Sequence, residues 1–227
     1  MRGYAICTER RSGSVFLCRL LSSTGLLGDP SEYFDANTLR HGRGVSDYPL
    51  DPEGQLAQIP RLGATPNGVY GFKIFSHQFD EVKATRWAER LPSLSFVYLE
   101  RQDMLGQALS LARARQTGQW VASITAQAEP IYRRDEIASI LALLARAQAR
   151  WRYYFASNGL PVLKLDYEQV MQSPQAAAEA VGRLVGLSET PKVDMAQVGP
   201  ERIQRDALTD AWRARFIAES RDLGVFH

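Results

Sequence analysis

The chain has 227 residues, 45% of them hydrophobic, and a formal net charge of +2 at pH 7. This length and composition suffice for one large domain with a sizeable core. A charge so near zero, without a long run of Lys or Arg, argues against a general binder of nucleic acid or of membrane surfaces. The sequence has no apolar stretch of about 20 residues and no signal-peptide pattern. We therefore expect no transmembrane segment and a cytoplasmic location.

The N-terminal segment predicts a strand, a tight turn and a helix. Residues 4–7 form an apolar run typical of a buried strand, and apolar residues at helical spacing follow until Gly25. The turn between them contains Arg10, Arg11, Ser12, Gly13 and Ser14. Helix N-termini attract anions, and Arg and Ser side chains donate hydrogen bonds to phosphate or sulfate oxygens. The turn is therefore a candidate anion site, although an ordinary turn with surface arginines explains so short a string equally well.

Strands and helices alternate along the rest of the chain. Apolar runs predict strands at residues 69–75, 94–99 and 162–165, and helical periodicity predicts helices at residues 53–59, 79–90, 104–116, 135–157, 174–186 and 209–223. This alternation predicts an α/β fold with a mostly parallel central sheet flanked by helices. We expect a single domain over residues 1–227 because no repeat and no clear linker divides the chain.

Polar residues near the predicted strand ends are candidates for a site. Lys73 interrupts an apolar strand, so it needs an anionic partner or a route to solvent. Arg101 follows a strand directly, and Ser110 lies two turns into the next helix. Both can reach one anion at the carboxyl edge of a parallel sheet, although a surface arginine and a solvated serine are the alternatives. Glu32 either begins a helix or serves as a base that abstracts a proton.

The cysteines and histidines predict no metal site. Cys7 and Cys18 match no metal or redox spacing, so we expect buried core thiols. His41, His77 and His227 are scattered along the chain.

Four blocks of the sequence occur in an order and at distances typical of one enzyme family. They are Arg11-Ser-Gly-Ser14 with Thr24-Gly25, Pro30-Ser-Glu-Tyr-Phe34, Thr65-Pro-Asn-Gly-Val-Tyr-Gly-Phe-Lys73, and Arg101-x-Asp103 with Gln107-Ala-Leu-Ser110 and Gln116-Thr-Gly118. Together they resemble the bacterial trehalose-sulfotransferase-like family, and the resemblance extends over most of the chain.

The resemblance implies a P-loop-like sulfotransferase fold and a reaction. The family transfers a sulfuryl group from 3′-phosphoadenosine 5′-phosphosulfate (PAPS) to a hydroxyl group, commonly on a carbohydrate. For this chain we expect in-line transfer without a metal ion to a carbohydrate or glycolipid acceptor. By position, the resemblance implies that the 5′-phosphosulfate is held by Arg11, Ser12, Gly13 and Ser14, and the 3′-phosphate by Arg101 and Ser110. It further implies a homodimer.

One catalytic role follows from the resemblance, because Glu32 falls where the family has its proposed base. For in-line transfer we further expect Arg11 to neutralise charge on the leaving phosphate and Lys73 to contact the sulfuryl group or the acceptor. Two departures matter. Val15 stands where a Thr is usual, and the segment from Glu32 to Lys73 is shorter than in the trehalose enzyme. Because that segment helps form the acceptor pocket, the acceptor stays open.

Two other functions remain as alternatives. A nucleotide-dependent, kinase-like phosphotransferase shares the strand–loop–helix phosphate site, but the Walker A pattern Gly-x4-Gly-Lys-Ser/Thr is absent from the sequence. A non-catalytic nucleotide-binding relative would keep the fold and lack turnover.

Overall fold

A parallel β-sheet forms the centre of the computed structural model. The structure describes residues 1–120, 125–199 and 206–220. Its strands stand in the order β2-β1-β3-β4, with the bounds β1 Arg2–Thr8, β2 Val69–Phe75, β3 Leu94–Glu100 and β4 Val162–Asp166. All three pairings are parallel, and Ile6 of β1 lies opposite both Lys73 of β2 and Val97 of β3. The predicted α/β fold with a parallel sheet is therefore confirmed.

Helices connect and flank these strands. Their bounds are α1 Ser14–Ser23, α2 Pro52–Leu62, α3 Ser76–Val82, α4 Trp87–Arg90, α5 Met104–Thr117, α6 Arg134–Ser157, α7 Tyr167–Gln172, α8 Pro174–Leu184, α9 Met195–Val198 and α10 Ala207–Glu219. A π-helical turn forms at Thr38–Gly42 and a 3₁₀ turn at Lys83–Thr85. In the described part of the chain, no helix is both long and apolar enough to cross a membrane.

The predicted helix over residues 79–90 is wrong, because the chain breaks there into α3, the 3₁₀ turn and α4. Arg86 has a left-handed backbone with φ of 52°, which ends the preceding turn. The break turns the buried Trp87 onto the sheet, where its ring meets Phe72 edge to face at 5.7 Å. Burial of this large aromatic side chain outweighs helical continuity. Of the last predicted helix, residues 221–223 lie outside the described residues.

Alternate residues of the strands face opposite sides of the sheet, as the pleat requires. On one side Ala5 and Cys7 belong to a core with Phe72 and Trp151. On the other side Tyr4 and Ile6 pack with residues of α1 and α8. Because helices and loops cover both faces, β1 is buried along Tyr4–Thr8, which explains its continuous apolar run.

The chain forms two compact units. The first consists of Met1–Gln102 and Ala147–Gly199 and contains the whole sheet. The second contains Asp103–Arg146 and α10. Its own core includes Leu109, Ala112, Ile140, Trp212 and Phe216.

The order of the strands creates a place for a ligand in the first unit. From β1 the chain passes to β2 on one side, and it then returns to β3 on the other side of β1. Connections that diverge in this way leave a crevice outside the carboxyl ends of the strands, where ligands of open α/β sheets bind. Residues 10–14 follow β1, Lys73 lies near the carboxyl end of β2, and Arg101 follows β3, so these candidates lie at this edge.

Candidate active site

The turn between β1 and α1 is held in a conformation that few residues adopt. Arg11 and Gly13 both have positive φ, 63° and 83°. A Cβ atom on Gly13 would lie 2.1 Å from Cδ2 of Tyr167, so glycine is required here for space as well as for backbone angle. A left-handed non-glycine residue costs about 1–3 kcal/mol, and such strain clusters at functional sites.

The turn also presents the N-terminus of α1 to the crevice. Gly13 is the N-cap of this helix and carries no side chain that could accept a hydrogen bond from the first-turn amides. Those amides have no intrahelical acceptor, and the helix dipole favours an anion beside them. We call residues 10–14 the anion loop.

Ser12 fastens the anion loop to the sheet. Its Oγ lies 2.7 Å from Oγ1 of Thr8, and the Thr8 hydroxyl donates to the carbonyl oxygen of Leu99 at 2.7 Å. Because Thr8 has a single hydroxyl proton, the Ser12 hydroxyl must donate to Thr8. In this arrangement Ser12 has its backbone amide to offer an anion, while its hydroxyl links the loop to β1 and β3. Ser14 is the first residue of α1 and is buried.

Arg101 lies directly after β3, as predicted, and reaches the anion loop. Its Nη1 donates to the carbonyl oxygen of Arg11 at 3.4 Å. Its Cζ lies 5.3 Å from the centre of the Tyr167 ring. Tyr167 therefore contacts both Gly13 and Arg101 and is a site residue that the motifs do not reveal. The available signal is its place as the first residue after β4.

Ser110 lies in the second unit, on α5, two turns from the start of the helix as predicted. Asp103 caps this helix by accepting a hydrogen bond from the Gly106 amide at 3.0 Å, and it also pairs with Arg213 at 2.6 Å. These contacts fix the start of α5. The role of Ser110 in binding a 3′-phosphate stays a prediction.

Lys73 has the anionic partner that its position in β2 requires, and that partner is Glu32. The Lys73 Nζ lies 2.7 Å from Oε1 of Glu32, and the two side chains are only 5% and 17% exposed. The Lys73 amide also donates to the carbonyl oxygen of Ser31 at 2.9 Å, which aligns residues 31–32 with β2. Glu32 and Lys73, which the sequence offers as two independent candidates, thus form one ion pair.

Glu32 does not begin a helix, so that interpretation is wrong. The residue that caps the following turn is Asp35, whose carboxylate accepts hydrogen bonds from the amides of Asn37 and Thr38. Glu32 precedes this cap, and its carbonyl oxygen accepts from the Asp35 amide at 2.9 Å. Its carboxylate is left to Lys73.

Phe75 joins the ion pair to the anion loop. Lys73 Nζ lies 5.2 Å from the centre of the Phe75 ring, and Arg10 Cζ lies 5.6 Å from it. His77 stacks on the same ring at 5.8 Å, and its Nε2 lies 3.3 Å from Nη2 of Arg10. Burial and, next, the Arg10 charge lower the pKa of His77. His77, which looks isolated in the sequence, thus lies at the candidate site.

Cys7 and Cys18 are free and buried, which confirms the expected core thiols. Burial raises the pKa of Cys18 to about 11 and that of Cys7 well above its ordinary value, so both stay protonated and unreactive. Over the described ranges, no group of three or more His, Cys, Asp or Glu side chains is arranged to hold a metal ion.

Comparison with known proteins identifies the family. The model of the Stf0 sulphotransferase family matches residues 3–219. The chain belongs to the Stf0 sulphotransferase family. The resemblance and the sulfotransferase function expected from the sequence are therefore confirmed.

Two curated relatives are similar to this sulfotransferase over almost their whole lengths. Trehalose 2-sulfotransferase of Mycobacterium tuberculosis is 28% identical, over 99% of this chain and 98% of the relative. Trehalose 2-sulfotransferase of Mycolicibacterium smegmatis is 26% identical, over 98% and 97%. The first alignment extends over 267 positions, 40 more than the 227 residues of this chain.

Solved structures give weaker similarities. A retinol dehydratase in complex with androsterone and inactive cofactor PAP has a TM-score of 0.44 and 12% identity, over 100% of this chain and 83% of the other. The sulfotransferase domain of the Synechococcus PCC 7002 olefin synthase has a TM-score of 0.47 and 14% identity, over 94% and 88%.

A sulfotransferase must bind an anionic sulfuryl donor and activate a nucleophile. The anion loop offers helix amides and arginines for the first task. The Glu32 carboxylate, held by Lys73 near the same sheet edge, has the chemistry of a general base for the second.

Proposed function

We propose that this sulfotransferase transfers a sulfuryl group from PAPS to a hydroxyl group of a carbohydrate, free or part of a glycolipid, by in-line displacement without a metal ion. The observation that carries the proposal is the Glu32–Lys73 pair at the sheet edge that bears the anion loop. The names of the two curated relatives support a carbohydrate acceptor. The family match runs through both compact units, which supports a single sulfotransferase domain over residues 1–227.

The proposed donor site combines the anion loop with two further residues. Arg11, the amides of Ser12 and Gly13, and Ser14 would hold the 5′-phosphosulfate at the N-terminus of α1. Arg101 and Ser110 would hold the 3′-phosphate through charge-assisted and hydroxyl hydrogen bonds. The strained backbone of Arg11 supports a loop shaped for a ligand. The missing side chain of Gly13 lets the Tyr167 ring pack against this loop.

The proposed reaction assigns Glu32 as the base. The acceptor hydroxyl gives its proton to the Glu32 carboxylate while the acceptor oxygen bonds to sulfur. The bond from sulfur to the donor phosphate oxygen breaks, and its electron pair leaves with 3′-phosphoadenosine 5′-phosphate (PAP). Arg11 would stabilise the charge that develops on this leaving oxygen. Lys73 would orient Glu32 and contact a sulfuryl oxygen.

Metal-free transfer is chemically reasonable because a sulfuryl group carries less negative charge than a terminal phosphoryl group. In phosphoryl transfer, catalysis is mostly positioning and neutralisation of charge. Fixed guanidinium and amide donors can supply both.

The acceptor is open within the carbohydrate class. The relatives act on trehalose according to their names, but this chain is 40 residues shorter than its alignment with the first of them. We therefore propose an acceptor pocket of a different shape and trehalose as one substrate among those to be tested. The expected homodimer can be checked by light scattering.

Thermal denaturation with nucleotides tests the donor assignment. Saturation at about 100 times the dissociation constant stabilises a protein by about 2.7 kcal/mol, or about 5–10 °C for a chain of this size. We expect PAP with a chelator to produce this shift and ATP with Mg²⁺ to produce none. A shift with ATP and Mg²⁺ alone would favour a kinase-like enzyme and overturn the proposal.

A further inference from the structure

Side-chain contacts continue the pairing of β1 and β2 beyond the end of the sheet. The last paired residues are Thr8 and Phe75. One residue further along each chain, the Glu9 carboxylate accepts a hydrogen bond from the Ser76 amide at 3.1 Å. After these, Arg10 Nη2 lies 3.3 Å from His77 Nε2. The start of the anion loop and the residues after β2 are thus held side by side.

We propose that His77 is a positioning residue whose neutral imidazole holds Arg10, and with it the anion loop, beside the Lys73–Glu32 pair. This inference rests on the proposed function, because the loop is the proposed binding site of the sulfuryl donor.

The contact with Arg10 defines the protonation state of His77. A guanidinium group has only donors, so Nε2 of His77 must accept and the ring proton must lie on Nδ1. An imidazolium would place a second N–H and a second positive charge against Arg10. This hydrogen bond between Arg10 and His77, which we call the latch, therefore requires the neutral imidazole ring.

The charges that face His77 come from three segments. Arg10 belongs to the anion loop, Glu81 to α3, and Glu32 and Asp35 to the segment after α1. The carboxylates favour protonation of His77, but burial and Arg10 outweigh them and leave its pKa below the ordinary value. The imidazole is therefore neutral at neutral pH.

Phe75 couples this latch to the proposed base. His77 stacks on its ring with an angle of 18° between the planes, while Arg10 and Lys73 both lie within cation–π distance of the same ring. The side chain of Lys73 then reaches Glu32. Arg10, His77 and Lys73 thus all contact the ring of Phe75. A loop ordered before binding loses less conformational entropy when the donor arrives.

Two substitutions separate the hydrogen bond from the packing. His77→Phe keeps an aromatic ring on Phe75 and removes the acceptor, whereas His77→Gln keeps a side-chain acceptor and removes the ring. The donor in this hydrogen bond is a cation, but the contact is exposed to solvent, so we expect the ordinary range for one hydrogen bond, about three- to tenfold in affinity. We expect His77→Phe to weaken PAP binding by this factor and His77→Gln to bind within about twofold of the unaltered chain.

The first measurement needs no ligand. Proton NMR follows the titration of the three histidines, and the spectrum of His77→Gln identifies the signal of His77. We expect its pKa to be below the ordinary value of about 6.5 and to rise in Arg10→Ala. An unchanged pKa in Arg10→Ala would overturn the inference whatever the donor is.

The second measurement is PAP binding by calorimetry at one pH above and one pH below the pKa that the NMR titration gives for His77. Acidification should weaken PAP binding to the unaltered chain more than binding to His77→Gln, because only the unaltered chain has His77 to protonate. The ratio of the two affinities at each pH cancels titration of the ligand itself. In addition, His77→Phe should cost nothing further in an Arg10→Ala background. Additive losses in the double variant would contradict the latch. No PAP binding by the unaltered chain would instead refute the proposed donor, and the NMR titration would still decide the latch.

Discussion

Replacement of Glu32 by Gln should change both turnover and stability, because the structure makes Glu32 the counter-charge of a buried lysine. Gln keeps the size of the side chain but cannot serve as a carboxylate base. Loss of a general base lowers turnover by about 10²-fold or more. PAP affinity should stay within about threefold, because the proposed nucleotide contacts do not include Glu32.

The stability change follows from the burial of Lys73, whose side chain is 5% exposed and whose anionic contact is Glu32. Removal of one partner from a buried ion pair costs about 3–5 kcal/mol. Glu32 itself is 17% exposed, so we expect the lower end, about 3 kcal/mol. For a chain of 227 residues this lowers the melting temperature by about 6–12 °C.

A double variant separates the two effects. Glu32→Gln combined with Lys73→Met removes both charges, and paired apolar or neutral replacements of buried ion pairs are often neutral for stability. We expect the melting temperature to recover and turnover to stay low. Steady-state rates and thermal melts on the single and double variants test this. Near-normal turnover in Glu32→Gln would show that Glu32 is not the base. An unchanged melting temperature in the same variant would contradict the ion pair between Glu32 and Lys73.

Three further outcomes are expected. Gly13→Ala should abolish PAP binding and destabilise the fold in a thermal melt, because its Cβ would meet Tyr167 at 2.1 Å, whereas Gly25→Ala, with positive φ but open space, should cost only about 1 kcal/mol. Arg101→Ala should weaken PAP binding by about 10-fold or more in calorimetry and spare adenosine 5′-phosphosulfate, which lacks the 3′-phosphate; equal losses would refute its assignment. The pKa of Asp206 is lowered to about 2, chiefly by its hydrogen bond from Arg113, so its contribution to stability is present above its unfolded pKa and lost as the pH falls from about 4 to about 2. A denaturation series against pH on Asp206→Asn should lack this loss.

The sequence predicts the sheet well because each strand is an apolar run bounded by turn residues. Val69–Phe75 has the predicted bounds, and β3 and β4 each extend one residue past the predicted end. β1 begins two residues before its predicted range and ends one residue after it. The helix predictions fail where tertiary packing overrides sequence periodicity. At Arg86 the predicted helix is interrupted, and Trp87 is buried. The six-residue α7 is too short to show a period.

Contacts between distant segments explain what the sequence could not predict about the site. A lysine inside β2 predicts an anionic partner, but only the fold identifies Glu32. Tyr167 is the first residue after β4 and His77 is the second after β2, and neither matches a motif. Their contacts with Gly13 and Arg10 depend on the parallel strand order. The motifs identified the proposed donor loop, while the residues that support it emerged from packing.

Product detection shows whether this protein transfers a sulfuryl group from PAPS to a carbohydrate. The enzyme is incubated with PAPS, a chelator, and either trehalose or a carbohydrate and glycolipid extract, and the products are analysed by mass spectrometry beside a Glu32→Gln control. We expect equal amounts of PAP and of a sulfated carbohydrate, formed without a metal ion and nearly absent in the control. No sulfated product from any acceptor, or a product that requires Mg²⁺, would contradict it.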